Sequence, residues 1–263
     1  MACICAIATV PAACSTPRVS GRAEAEQQAS PCEQAYSSAT SNSETMSDLS
    51  QHIIIRYLAA RDAASAWEQT AAQCPSRFAD GTMRAAQSRF VAHSLASRMG
   101  MEISDVTLAR FDGVESLDID ADSASTMAQA EDEAGFATQV LAARSVGSVT
   151  LDVSDRHKAT SQRLVSFSGQ DDNRRKTYDA AELIAHSDIT VDDANGISAP
   201  ASAIIEMNCA RTEIEAVASS TASQSTSEQS RSETLAVLSS LIADRAELAF
   251  EWGYPTFDEA LFE

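Results

Sequence analysis

The sequence predicts an all-α protein, and three of its features support that prediction. Alanine, the strongest helix former, provides much of the 44% hydrophobic content, whereas aromatic residues make up only 5%. The helix-breaking residues are scarce, with nine glycines and six prolines in 263 residues. Several long segments place apolar residues at intervals of three and four, which is the spacing of one helix face. A chain of this length can form one large domain or two small ones.

The chain begins with a short apolar run that ends in small residues before Cys14. An apolar stretch of this kind, followed by small residues, is typical of a secretory signal. The sequence Pro-Ala-Ala-Cys at positions 11–14 also resembles a bacterial lipobox, in which the cysteine becomes the lipidated first residue of the mature protein. We therefore expect residues 1–14 to be a signal with a lipobox, and Cys14 to carry lipid. The alternative is an apolar segment that packs against the folded domain.

The next segment, residues 15–47, is rich in serine, alanine, glutamate and glutamine. It has too little apolar content to bury a core, so we expect a flexible polar linker. A lipid anchor, a linker and a folded domain together predict an exported protein anchored to the outer face of the cytoplasmic membrane. The net charge of −19 argues against a nucleic-acid partner, because phosphate binding needs clustered lysine and arginine. The expected partner is the membrane, reached through the lipid; any protein or small-molecule partner is left unidentified.

The six cysteines leave three to account for after the signal and the lipidated residue are removed. An exported protein lies in an oxidising compartment, where disulfides form. We predict a disulfide between Cys74 and Cys209, which would tie the N-terminal helices to the later ones. Cys32 is then the odd residue, although it is also the rival partner of Cys74, and three unpaired thiols are the remaining alternative. No CxxC pair supports a zinc ribbon or a thioredoxin-like site.

Residues 48–123 are predicted to form an N-terminal helical pair followed by an irregular connection. The first helix covers about 48–73, and Cys74-Pro75 ends it because the residue before proline avoids the helical conformation. The second covers about 82–99 and stops at Gly100. Residues 124–263 then hold four longer helices, separated by a break near residue 147, a polar segment of about 30 residues, and a short serine-rich turn. A hairpin, a long crossover and a second hairpin define a ferritin-like antiparallel four-helix bundle.

Two polar residues occupy positions in the first hairpin where the helical period predicts core. Glu131 lies on the apolar line Met127, Ala134, Thr138 and Leu141, and His157 lies on the line Val149, Val153, Thr160, Leu164 and Phe167. Glu206 and Asp244 are the inward candidates of the third and fourth helices. Glu131, His157, Glu206 and Asp244 could together hold one iron, manganese or zinc ion, since imidazole and carboxylate suit these metals.

The alternative is a buried polar network, in which these side chains pair with each other and with Arg144, Arg211 or Arg245. A di-iron site needs two Glu-x-x-His pairs, but the residue three positions before His157 is Ser154, and the fourth helix has no histidine.

Several short elements resemble those of an actinobacterial ferritin-like domain family of unknown function (DUF4439). They are Ala-Glu-Asp-Glu-Ala-Gly-Phe at 130–136, Val-Leu-Ala-Ala-Arg at 140–144, His-Lys-Ala at 157–159 and Gly-Tyr-Pro-Thr-Phe at 253–257. The resemblance covers roughly residues 125–263, and the order of the elements carries most of it. Asp132 departs from the family, which tends to have histidine there. The resemblance implies a ferritin-like fold and an exported or cell-surface setting in a Gram-positive bacterium, and it supplies no activity.

These features predict a cell-surface lipoprotein whose helical bundle has a non-enzymatic structural or binding role at the envelope. No catalytic residue is predicted, because the chain has no Gly-rich phosphate loop, no Gly-x-Ser-x-Gly elbow and no HExxH motif. No cofactor is expected under this interpretation. The alternative is a metal-binding ferritin-like protein that holds iron or another divalent metal.

Overall fold

The regular structure of the protein is almost entirely helical, which confirms the predicted all-α class. The structure is a computed structural model, and it describes residues 29–109, 111–221 and 227–256. Within these ranges there are eight α-helices and one two-stranded antiparallel sheet. All of these elements belong to the unit Pro31–Glu263.

The helices form an N-terminal group of three, a four-helix set and one short helix in the crossover. They are α1 (Pro31–Ser47), α2 (Ile53–Gln73), α3 (Phe78–Arg98), α4 (Ala121–Ala143), α5 (Leu151–Ser168), α6 (Ala181–Ala185), α7 (Ala201–Ser219) and α8 (Glu228–Glu251). The strands are β1 (Ile189–Val191) and β2 (Ser198–Pro200). None of the described helices is both long and apolar enough to cross a membrane.

The first helix corrects the predicted linker. Residues 31–47 form α1, so the prediction of a flexible linker over 15–47 is wrong for this part, and residues 15–28 lie outside the described ranges. Ala35, Ala39 and Met46 are buried at helical spacing. The indole N–H of Trp67 on α2 donates to the Ser43 hydroxyl at 2.8 Å. The N-terminal region therefore contains three packed helices rather than a pair.

The disulfide also differs from the predicted pairing. Cys32 at the start of α1 is bonded to Cys74 at the end of α2, with their Cα atoms 5.2 Å apart. Cys209 is buried and free. The predicted Cys74–Cys209 bond is therefore wrong, and the rival pairing with Cys32 is found. The reason is position, because Cys74 faces the start of α1 whereas Cys209 lies within the four-helix set.

The N-terminal helices share one apolar core with α8. Trp67, Phe78 and Met83 belong to the same buried cluster as Leu238 and Leu241. Helices α2 and α3 are themselves in close contact at Gly81, where an added Cβ would lie 2.8 Å from the Ala71 nitrogen. Only a residue without a side chain permits that approach.

Helices α4, α5, α7 and α8 form the predicted four-helix arrangement. Helices α4 and α5 are antiparallel. The Ser154 hydroxyl donates to the Gly135 carbonyl, and the later Ser161 hydroxyl donates to the earlier Ala128 carbonyl, both at 2.6 Å. The crossover, which contains α6 and the β1–β2 hairpin, joins α5 to α7. Helix α7 packs against both α4 and α8. The order hairpin, crossover, hairpin is thus present.

The connection between α3 and α4 closes the fourth side of this bundle. Helices α5 and α8 have little direct contact with each other. Leu108 and Phe111 are buried in the core instead. The Ala109 carbonyl accepts from Thr160 on α5 and from Arg245 on α8, at 3.3 Å in each case. An irregular segment therefore lies where two helices would otherwise meet.

Candidate functional site

Three of the four predicted inward residues meet at the centre of the four-helix set. Glu131 on α4, His157 on α5 and Glu206 on α7 are each fully buried, with 0% of their surface exposed. His157 Nδ1 lies 2.6 Å from Glu131 Oε2, and His157 Nε2 lies 3.0 Å from Glu206 Oε1. The imidazole therefore bridges two carboxyl groups from two other helices.

The fourth predicted residue, Asp244, does not join them. Its Oδ1 lies 2.6 Å from the Arg89 guanidinium on α3, and its Oδ2 accepts the Ala109 N–H at 2.8 Å. The prediction of Asp244 as an inward ligand is therefore wrong. Helix α8 is rotated so that Asp244 faces the N-terminal helices, and the next residue, Arg245, faces the centre of the bundle.

Arg245 is fully buried, and its hydrogen bonds are made with the cluster and its surroundings. Its Nε donates to Glu131 Oε1 at 2.8 Å, and a terminal nitrogen lies 2.6 Å from the same oxygen. Another terminal nitrogen donates to the Leu241 carbonyl at 3.0 Å. The Thr160 hydroxyl and the Ala109 carbonyl accept the remaining bonds. This guanidinium holds α4, α5, α8 and the α3–α4 connection around one point.

Two residues of α7 extend the cluster, and sequence reasoning did not place either of them there. Glu213 is fully buried, and no hydrogen-bond donor of the described residues reaches either of its carboxyl oxygens. Its Oε2 lies 3.9 Å from Arg245 Nε. The Cys209 thiol can reach the same centre, because one ligand atom each from Glu131, His157 and Cys209 lie within 4.8 Å of one another.

The charges of this cluster balance internally. Burial alone would lower the pKa of His157, but the charges of Glu206 and Glu131 raise it to about 10, so the imidazole is protonated at neutral pH. Burial would raise the pKa of Glu131, but Arg245 and His157 lower it to about 2. Two positive groups, His157 and Arg245, thus face the charges of Glu131 and Glu206.

Burial favours the uncharged forms of the two extra groups on α7. Burial raises the pKa of Glu213 well above its usual range, and the nearby charge of Glu131 raises it further. Burial likewise raises the pKa of the Cys209 thiol. These shifts favour the carboxylic acid form of Glu213 and the thiol form of Cys209, and a thiol is less nucleophilic than a thiolate.

The donor atoms fit a metal only in part. The predicted set of Glu131, His157, Glu206 and Asp244 does not fit, because Asp244 is paired with Arg89 elsewhere. Glu131, His157 and Cys209 do offer a carboxylate, an imidazole and a thiol in reach of one point, which is a set that zinc accepts. The positively charged guanidinium of Arg245 is paired with Glu131, and its charge would repel a metal ion bound at the same carboxylate.

The sequence places Arg245 on an apolar face of α8, but a second apolar face of the same helix made its burial ambiguous. Val237, Leu241, Asp244 and Leu248 fit one line on α8, and Leu238, Ile242, Arg245 and Ala249 fit another, one position later. The structure buries every residue of the second line. Both lines are apolar apart from one charged residue, so the period alone could not choose between them. Cys14, the predicted lipidation site, lies outside the described residues.

No protein-family model matches the chain, and no curated protein or solved structure is significantly similar to it. The resemblance to the actinobacterial ferritin-like family therefore stays a prediction, and the site is interpreted from its own geometry.

Proposed function

We propose that the protein is a non-enzymatic helical-bundle protein with a structural or binding role at the cell envelope, exported and anchored through a lipid on Cys14. The observation that carries this proposal is Arg245. A buried guanidinium lies where α8 would have to supply a ligand, and it is bonded to the Glu131 carboxylate. A group with five fixed donors and no acceptor offers nothing to a metal or a substrate proton.

The balanced charges support the same role. A catalytic carboxylate or imidazole must exchange a proton or bind a reacting atom during turnover. Here His157 has both nitrogens bonded to carboxyl groups, and Glu131 is bonded on both oxygens, to His157 and to Arg245. The side chains of His157, Glu131 and Arg245 are all fully buried. The cluster is suited to fixing the relative positions of four chain segments.

The disulfide supports the exported location. Disulfides persist in oxidising compartments and are rare in the cytosol. Cys32 and Cys74 form one that spans 42 residues and joins two helices of the N-terminal group. This bond is independent of the signal and lipobox prediction, which rests on residues 1–14 alone.

The test of the non-enzymatic role is metal analysis of the purified protein after refolding with iron(II), manganese(II) or zinc(II). We expect less than one tightly bound ion per chain after dialysis. One or two ions per chain, retained through dialysis, would overturn the proposal for the core. Mass spectrometry of the native protein tests the anchor separately: the expected result is an acylated Cys14, and an intact, unmodified N-terminus would refute it.

A second candidate function is metal binding, which the approach of Glu131, His157 and Cys209 favours. It predicts that His157→Ala abolishes metal uptake while the helical circular-dichroism spectrum is retained. Cys209→Ser is the second variant, because the thiol contributes to this set and not to the ion pairs around Arg245. Uptake that is unchanged in both variants would exclude this site.

A further inference from the structure

A cleft lies on the other side of α8 from the buried cluster, between α2, α3 and the start of the α3–α4 connection. Its volume is about 570 Å³, within the range of small-molecule sites. Tyr57 lies on its α2 side, His93 on its α3 side and Ile103 on the connection, and Glu247 of α8 belongs to the same lining. The cleft shares no residue with the core cluster, so what it binds does not depend on the proposed role of that cluster.

The chemistry of the cleft depends on how Arg89 distributes its hydrogen bonds. This guanidinium is about one-fifth exposed and faces three acids. One terminal nitrogen is bonded to Asp244 at 2.6 Å, and the other forms a close ion pair with Glu68. The third acid, Glu247, lies 3.6 Å away, beyond hydrogen-bond distance. Arg89 therefore satisfies two of its acids and leaves the third without a direct bond.

Glu247 is a nearly buried carboxyl group whose closest cation is His93, with Arg89 beyond hydrogen-bond distance. Its side chain is 6% exposed, and its Oε1 lies 3.2 Å from His93 Nδ1. His93 is shared with Glu251, which lies 3.4 Å from the same nitrogen. Burial raises the pKa of Glu247 to about 7, although Arg89 and His93 act to lower it. Among the described residues, no further cation compensates this carboxylate.

The cleft is lined by both apolar and charged side chains, and the acidic residues outnumber the basic ones. Met101 and Ile103 are exposed large hydrophobic residues, with 45% and 37% of their surfaces accessible. Tyr57 offers an aromatic ring that already holds one cation, since the Arg61 guanidinium lies 5.8 Å from its centroid. Four acids and three basic residues line the cleft: Glu102, Asp105, Asp244 and Glu247, against Arg61, Arg89 and His93. An anionic ligand would meet this excess as repulsion.

We propose that this cleft binds a small organic cation, an amine whose ammonium group lies beside Glu247 and whose apolar group lies against Tyr57, Met101 and Ile103. Arg89 donates its hydrogen bonds to Asp244 and Glu68, so the ammonium supplies the donor that Arg89 does not give to Glu247. The apolar group covers the exposed hydrophobic surface of the connection. A hydrogen bond between an ammonium and a carboxylate is about twice as strong as a neutral one, so the charge should dominate selectivity.

The experiment is a nuclear magnetic resonance titration of the full folded chain, in which backbone amide shifts report both affinity and location. The probe is 2-phenylethylamine, with the neutral 2-phenylethanol and the anionic 3-phenylpropionate as ligands of similar shape. We expect the amine to shift amides of residues 92–96 and 101–107 to saturation. The alcohol should bind at least about tenfold more weakly, and the anion should not bind.

The variants separate the charge from the shape of the cleft. Glu247→Gln should weaken amine binding by at least about tenfold, and Glu182→Gln, an exposed acid on α6, should leave it unchanged. Met101→Ala removes an exposed side chain and should weaken the amine by a few-fold without affecting the fold. Equal affinities for amine and alcohol, shifts outside the cleft, or no saturation by the amine would each overturn the proposal. If Glu247→Gln does not fold, the ligand comparison and Met101→Ala still decide it.

Discussion

Replacing Arg245 with methionine tests whether the buried cluster holds the bundle together. The substitution keeps an unbranched chain but removes the donors for Glu131, Leu241, Thr160 and Ala109. The Glu131 carboxylate is then left buried with His157 as its one hydrogen-bonded cation. Removing one partner of a buried ion pair typically costs about 3–5 kcal/mol. For a chain of this size, that loss corresponds to a fall in melting temperature of roughly 6–20 °C.

The assay is urea and thermal unfolding followed by far-UV circular dichroism. Arg231→Met, an exposed arginine on the same helix, is the matched control and should change the free energy of unfolding by less than about 0.5 kcal/mol. The double variant Glu131→Gln/Arg245→Met should recover part of the loss, because it no longer buries an unpaired carboxylate. If Arg245→Met unfolds at the same urea concentration as Arg231→Met, the cluster does not stabilise the fold and our interpretation of it is wrong.

Three further changes follow from single features of the structure. Replacing Cys32 and Cys74 with serine should lower the free energy of unfolding by about 4 kcal/mol, the entropy of a closed loop of 42 residues in the unfolded chain. Gly81→Ala should destabilise by about 1–3 kcal/mol, because its Cβ would lie 2.8 Å from the backbone of α2. Glu247 has a folded-state pKa of about 7 against a reference of 4.5, so the folded state prefers its protonated form. Its contribution to stability should therefore be largest at low pH and fall by about 3 kcal/mol as the pH rises from 4.5 through 7, at about 1.36 kcal/mol per pKa unit.

Each of these changes has its own control, measured by urea unfolding. A reducing agent should destabilise Cys209→Ser as much as the wild type, because Cys209 is not in the disulfide. If a reducing agent does not destabilise the wild type, the Cys32–Cys74 bond does not stabilise the fold. Ser94→Ala, at an exposed site on α3, should be near neutral, and equal stability of Gly81→Ala would show that the two helices can separate there. Glu247→Gln should flatten the decline between roughly pH 4.5 and 7. The charged groups that face Glu247 are Asp244 and Glu251 on α8 and Arg89 and His93 on α3. The raised pKa of His93 also makes the stability fall as the pH rises. A decline of unchanged slope in the variant would assign the pH dependence to other groups.

The parts of the fold that the sequence predicts are those where a helix buries a continuous line of apolar residues. In α4, the line Met127, Glu131, Ala134, Thr138 and Leu141 is buried throughout, as the period predicted. The acid on that line was predictable as a buried group because its neighbours on the same face are apolar. The same reasoning placed His157 correctly.

Helix α1 could not be predicted in this way, because its stability is not local. Its buried face consists of Ala35, Ala39 and Met46, which provide little apolar surface. The helix is stabilised by the hydrogen bond between Ser43 and Trp67 and by the disulfide to Cys74. Both partners lie on or after α2, so a reading of residues 31–47 alone finds only a polar segment.

The ion pairs of α8 also could not be predicted from the sequence, because two adjacent residues of this helix contact different parts of the protein. Asp244 faces Arg89 of the N-terminal helices, and Arg245 faces Glu131 of the four-helix set. Ala109 contacts both, since its N–H donates to Asp244 and its carbonyl accepts from Arg245. Only the folded chain brings the α3–α4 connection to this point.

Because α8 is bonded to both parts, we expect the N-terminal helices and the four-helix set to unfold as one cooperative unit. Loss of α3 would remove the ion pair between Arg89 and Asp244 and would leave Asp244 with the Ala109 N–H of the connection as its partner. Trp67 lies on α2 and Trp252 at the end of α8, and they are the only two tryptophans of the chain. We therefore expect tryptophan fluorescence and far-UV circular dichroism to report one coincident unfolding transition. Two separated transitions would show that the N-terminal helices unfold independently and that Asp244 and Arg245 do not couple the two parts.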